Sequence, residues 1–180
     1  LSSNPLSSPF SGPFECTPFD TIKVEHFLPA IEAGLGQAKN NIEAIKNLSV
    51  EPQFENTIEA LESASELLDR SSEAYFNLFS AHATPELQAL AAHISPKLAE
   101  FSSDVSQDVK LFERVKSVYE KRERLGLKGE ALRLTEKTYK SFVRNGAKLD
   151  SQAKDKLRKI DQEAAGLWPK FSGNVLAATQ

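Results

Sequence analysis

From residue 28 onward, apolar residues return every three, four or seven positions, the spacing that lines up one face of a helix. Ile31, Leu35, Ile42, Ile45 and Leu48 form the first such stripe. It predicts a helix from about Leu28, with Pro29 in the first turn, where no backbone bond is lost. Residues 23–27 read as a separate short turn, and residues 49–53, with Pro52, as a loop. A second, long stripe (Ile58, Leu61, Leu68, Tyr75, Phe79) predicts one helix from about Asn56 to Ala83, capped by Asn56 or Thr57. Thr84-Pro85-Glu86 then reads as a stop and restart, with threonine as N-cap, proline at the first helical position and an acid in the first turn.

The third helix carries Leu87, Leu90, Ile94, Leu98, Phe101 and Val105, with a kink or break expected at Pro96. A fourth, about 108–125, buries Val109, Phe112, Val115 and Tyr119 and ends at Gly126. A fifth, about 129–145, uses Leu132, Thr135, Tyr139 and Phe142, and closes on Asn145-Gly146, where glycine accepts the left-handed conformation of a helix end. Asp150 or Ser151 starts a sixth, faced by Leu157, Ile160, Ala164, Leu167 and Phe171, which Pro169 should kink or stop near Trp168. No stretch alternates apolar and polar for long enough to suggest a strand. Short connections between long helices imply antiparallel neighbours. The expectation is an all-α, antiparallel bundle of about six helices.

Residues 1–20 break this pattern. They hold four prolines and five serines, and proline removes donors and fixes φ. They predict an extended Pro/Ser-rich arm, with residues 21–180 as the helical domain. Phe10, Phe14 and Phe19 would suit a solvated tail poorly, so the arm is expected to pack on the body.

Composition then narrows the function. The chain has 180 residues, 40% hydrophobic and 26% charged, enough for an ordinary core. The net charge of −3, from 22 basic and 25 acidic residues, argues against nucleic acid as a partner, since phosphate binding needs clustered positive charge. No apolar run approaches the roughly 18 residues of a membrane helix, so no membrane partner is expected. The lone Cys16 has no internal partner and reads as an inert thiol. The chain opens on Leu1 and holds no methionine, which predicts a piece of a longer product.

Candidate chemistry is sparse. His26, His82 and His93 lack the His-Glu-x-x-His spacing of a helical zinc site. Gly34-Leu35-Gly36 lies within a helical pattern, without the strand and third glycine of a phosphate loop. Glu59, Glu62, Glu66 and Asp69 share a helix side, yet Glu-x-x-His, which a di-iron bundle needs, does not occur. They read as a solvated face, and no catalytic or metal-ligating residue is assigned.

Six segments resemble one family. They are residues 17–30 (TPFDTIKVEHFLPA), 54–61 (FENTIEAL) continuing to 67–70 (LLDR), 75–101 (YFNLFSAHATPELQALAAHISPKLAEF), 111–127 (LFERVKSVYEKRERLGL), 139–149 (YKSFVRNGAKL) and 171–179 (FSGNVLAAT). In order and spacing they resemble the N-terminal helical region of the thimet oligopeptidase family of zinc metallopeptidases, above all its bacterial branch of oligopeptidase A and peptidyl-dipeptidase. Trp168-Pro169 and Cys16 depart from the family's pattern.

The resemblance implies a non-catalytic N-terminal domain of a cytoplasmic zinc peptidase. Such a domain forms one wall of the channel that admits short peptides and limits their size. Its partners would be those peptides and the C-terminal catalytic domain of the same polypeptide, where His-Glu-x-x-His and a further glutamate hold the zinc. That zinc domain is not in this chain, and this segment alone is expected to be inactive. Tyr75, Asn77 and His82 form a polar-aromatic stretch that could face the channel, although Tyr75 also fits the core stripe. The alternative is a stand-alone helical protein-interaction module without activity.

Overall fold

The computed structural model describes residues 4–179 and is all-α; among these residues there is no strand. The main helices are α1 (Val24–Asn47), α3 (Glu66–Ala81), α4 (Pro85–Ser106), α5 (Val109–Lys121), α6 (Gly129–Arg144) and α7 (Ser151–Thr179). The short α2 (Ala60–Glu62) continues a wider, π-helical stretch, Phe54–Glu59. No helix of the described residues is long and apolar enough to cross a membrane. The chain forms two compact units. The first comprises Leu1–Lys39, Ser65–Leu98 and Glu163–Gln180, and the second Asn40–Ala64 and Ala99–Gln162.

Two elements differ from the sequence expectation, and in two others one of the two expected outcomes does not occur. Helix α1 begins at Val24, not Leu28, so Pro29 lies in its second turn. The early start is held by a side chain: the Lys23 amide donates to His26 Nδ1 at 3.0 Å, so the third helical residue caps the amide before the helix. The expected single helix from Asn56 to Ala83 is broken at Ser63–Ser65. There the hydroxyls compete for backbone and carboxylate partners. Ser63 Oγ donates to the Glu59 carbonyl and Ser65 Oγ to Asp69, while Asn41 Nδ2 takes the Ala64 carbonyl at 2.9 Å. Asn56 is not the cap but an interior residue whose Oδ1 accepts the Gln53 amide. Of the kink or break expected at Pro96, the break does not occur, since α4 runs through it, and of the kink or stop expected at Pro169, the stop does not occur, since α7 runs on to Thr179. A proline deletes only the bond to the carbonyl four residues back, and a long helix keeps those on either side.

In the first unit, Phe27, Ala30, Ile31 and Ala38 of α1 are buried with Leu68, Ala74 and Tyr75 of α3 and Leu87, Ala91 and Ile94 of α4. Gly34 permits the close approach. A Cβ there would lie 2.7 Å from Leu68 Cα and 2.8 Å from its amide nitrogen, so the α1 and α3 backbones touch where only glycine fits. Gly36, one turn face away, meets nothing within 4 Å. The arm packs on this unit through fewer anchors than expected. Leu6 is fully buried, Asn4 Nδ2 donates to the His26 carbonyl at 2.7 Å, and the Arg70 guanidinium lies 5.6 Å from the centre of the Phe10 ring. Phe14, by contrast, is 97% exposed on a left-handed turn at φ 58°.

The second unit is built on Ile42, Ile45, Ile58, Leu111, Phe112, Val115, Val118 and Phe142. Val109 lies outside it, exposed in the first turn of α5, where Asp108 Oδ1 accepts the Leu111 amide at 2.7 Å and sets the helix start. Arg114 is buried yet meets no carboxylate. Its fork donates to the carbonyls of Leu48 (3.0 Å) and Val50 (3.3 Å), Asn56 Oδ1 (3.1 Å) and Thr57 Oγ1 (3.2 Å). Four neutral acceptors thereby tie the loop after α1 and the π-helical stretch to α5. On α5 and α6, the rings of Tyr119 and Tyr139 stack at 3.9 Å and 5°, with Arg122 over one and Lys148 over the other. The expected close of α6 is present, with Asn145 as C-cap and Gly146 at φ 93°.

Candidate functional site

The three side chains singled out from the sequence sit on or just beyond the last two turns of α3 and have different surroundings. Tyr75 takes the core position that its place in the stripe allows. It is fully buried, edge-on to Phe27 at 5.4 Å and to Phe76 at 5.0 Å, and its hydroxyl donates to the Leu87 carbonyl at 2.7 Å. Asn77 and His82 are exposed. His82 is the C-cap of α3, its amide bonded to the Leu78 carbonyl at 2.7 Å.

Burial pushes the Tyr75 phenol up to about 12 from its usual value of 10.0. The neutral form is therefore the one the fold favours. The stability this contributes is fully present below pH 10 and lost as pH rises towards 12. Urea midpoints measured between pH 8 and 11.5 should fall more steeply for the native sequence than for Tyr75→Phe. At pH 8 the same substitution should cost about 1 kcal/mol for the lost hydrogen bond. Parallel pH profiles for the two proteins would contradict the assignment.

Beside this turn lies a groove of about 460 Å³, contained within the first unit. Phe76, Phe79, Trp168, Val175 and Leu176 give it apolar walls, and Ser80, Gln88, Ser172 and Thr179 add polar edges. In the sequence, Leu157, Ile160, Ala164, Leu167 and Phe171 form one apolar stripe of α7 and predict a core face there. In the structure α7 has no buried residue, and Trp168, at 68% exposure, and Phe171, at 60%, stand open. One signal in the sequence marks the region: from Ala164 to Thr179 the only charged residue is Lys170, and a helix apolar nearly all round is one that becomes covered. The groove holds no nucleophile paired with a base. It is suited to taking apolar side chains, with hydroxyl and amide groups at the rim.

Among the described residues no three His, Cys, Asp or Glu side chains converge as metal ligands. His26 is committed to the start of α1, and His82 and His93 are exposed on α3's end and on α4. The zinc implied by the resemblance does not fit the described residues of this segment. Cys16 is exposed on the arm.

Comparison with known proteins agrees with the fold. Residues 31–154 match the model of the neurolysin/thimet oligopeptidase N-terminal domain. The chain is 38% identical to a dipeptidyl carboxypeptidase of Salmonella typhimurium over its whole length, and 39% identical to that of Escherichia coli over 98% of its length. It is 32% identical to a probable cytosolic oligopeptidase A of Arabidopsis thaliana, again over its whole length. It spans 26% of each bacterial relative and 25% of the plant one. With the family model covering most of an all-α chain, and this chain matched over nearly its whole length by a quarter of each relative, the chain belongs to the neurolysin/thimet oligopeptidase family and carries its N-terminal domain.

Proposed function

We propose that this chain is the non-catalytic N-terminal part of a zinc metallopeptidase that hydrolyses short peptides, and that it forms a wall of the substrate channel and so limits substrate size. The observation that carries the reading is the end-to-end similarity to proteins named dipeptidyl carboxypeptidase and oligopeptidase A. Residues 21–180 act in this reading as the helical domain and residues 1–20 as its arm. The zinc and the catalytic residues belong to the rest of the polypeptide, and the enzyme works in the cytoplasm. Asn77 and His82 are the channel-facing candidates, since both are exposed where α3 ends.

The first test is the reading frame beyond Gln180. A continuation of several hundred residues with His-Glu-x-x-His and a downstream glutamate is expected. A frame that stops near Gln180 would favour a stand-alone interaction module instead. In the whole enzyme, His82→Ala should reduce kcat/KM for peptides several-fold through KM, the signature of lost binding rather than lost chemistry. Unchanged kinetics would remove His82 from the channel.

A further inference from the structure

We infer that the exposed flank of α7 between Leu167 and Leu176 is the surface on which the remainder of the same polypeptide packs, through an apolar face of its own. The inference rests on the reading of this chain as part of a larger enzyme. A helix of 29 residues with no buried side chain lacks the tertiary packing that holds most protein helices. Its two halves differ in how they meet the protein. The first is tied down by polar contacts within the second unit: Lys154 Nζ donates to the Gln107 carbonyl at 2.9 Å, and Arg158 pairs with Asp104. The second half, with Lys170 its only charge after Glu163, has no such ties among these contacts. It exposes Leu167, Trp168, Phe171 and Val175.

Contiguous apolar area of this kind marks an interaction site. Trp168 has the size and aromatic character of an interface anchor, and the groove it shares with Phe76 and Phe79 is open to an inserted side chain. A nearly uncharged flank calls for an apolar partner rather than a charged one. The relatives supply the argument for a partner in cis. Each aligns with nearly all of this chain in about a quarter of its own length, so most of each polypeptide remains to cover such a face.

Cysteine accessibility tests this. In a Cys16→Ser background, Phe171→Cys is placed on the flank and Lys159→Cys on the exposed, charged half of α7. Each is reacted with a maleimide in the 180-residue chain and in the full-length polypeptide, and labelling is read on the α7 peptide by mass spectrometry. Position 171 should react at least ten-fold more slowly in the full-length protein, independently of protein concentration, while position 159 keeps its rate. Equal rates at position 171 in the two proteins would overturn the inference. So would protection that appears only as concentration rises, which would assign the face to a second copy, or a reading frame without further residues. Protection at position 171 in a full-length protein without peptidase activity would sink the functional reading and leave the docking surface standing.

Discussion

Replacing Arg114 by methionine should destabilise the chain by about 3 kcal/mol, a loss of the size seen when a buried polar hub is removed. The guanidinium is buried and donates to four neutral acceptors. Methionine fills much of its volume but leaves the Leu48 and Val50 carbonyls, Asn56 Oδ1 and Thr57 Oγ1 without that donor. Thr57 is fully buried, so water cannot take the place of the lost donor there. Burial lowers the guanidinium's pKa, but from so high a starting value that it stays charged at neutral pH. Lysine should rescue little, because one ammonium cannot reproduce a planar fork aimed at four acceptors. The check is a urea titration of the native, Arg114→Met and Arg114→Lys proteins. A loss below 1 kcal/mol in the methionine variant would mean that the loop is held by something else.

The second large effect is a pair of opposite sign. Gly34→Ala should cost about 2 kcal/mol net, although alanine is the better helix former by roughly 1 kcal/mol. The new Cβ would lie 2.7 Å from a backbone carbon of α3. A backbone cannot rotate away as a side chain can, so the two helices would have to separate and loosen the core between them. Gly36→Ala, two residues along the same helix, meets nothing within 4 Å and should stabilise by up to about 1 kcal/mol. Thermal melting of both variants under one condition decides the matter. If both move in the same direction, the contact between α1 and α3 is not what holds glycine at position 34.

The sequence pattern made the helices legible because apolar spacing reports which side of a helix is buried. It placed Thr84-Pro85 at the start of α4 and Asn145-Gly146 at the end of α6, where turn chemistry is local. It misplaced the starts and breaks set by side chains reaching back to the main chain. His26 capping Lys23, and the serines at positions 63 and 65, leave no periodic trace. The spacing favours Val109 over Leu111 and Val118, although Val109 is exposed and the other two are buried, because an apolar residue in a first turn satisfies the spacing without facing the core. For the candidate site, the polar-aromatic run at 75–82 was visible. Which of its members would be interior was not, since Tyr75 fits a stripe and a surface equally well until Leu87 is seen to accept its hydroxyl. Leu167 and Phe171 of α7 fit a core stripe for the same reason: periodicity shows that a face seeks cover and is silent on what provides it.

The stacked tyrosines of α5 and α6 give the molecule a built-in optical reporter. Two phenol rings held nearly parallel at 3.9 Å couple their electronic transitions, and the coupling disappears once the helices part. With Tyr75 of the other unit replaced by phenylalanine, near-ultraviolet circular dichroism should therefore carry a tyrosine signal from the unit that holds residues 119 and 139 alone, whereas indole emission comes only from Trp168, in the other unit. Followed together during denaturation, the two signals show whether the units melt as one cooperative body or in succession. No label or probe need be introduced.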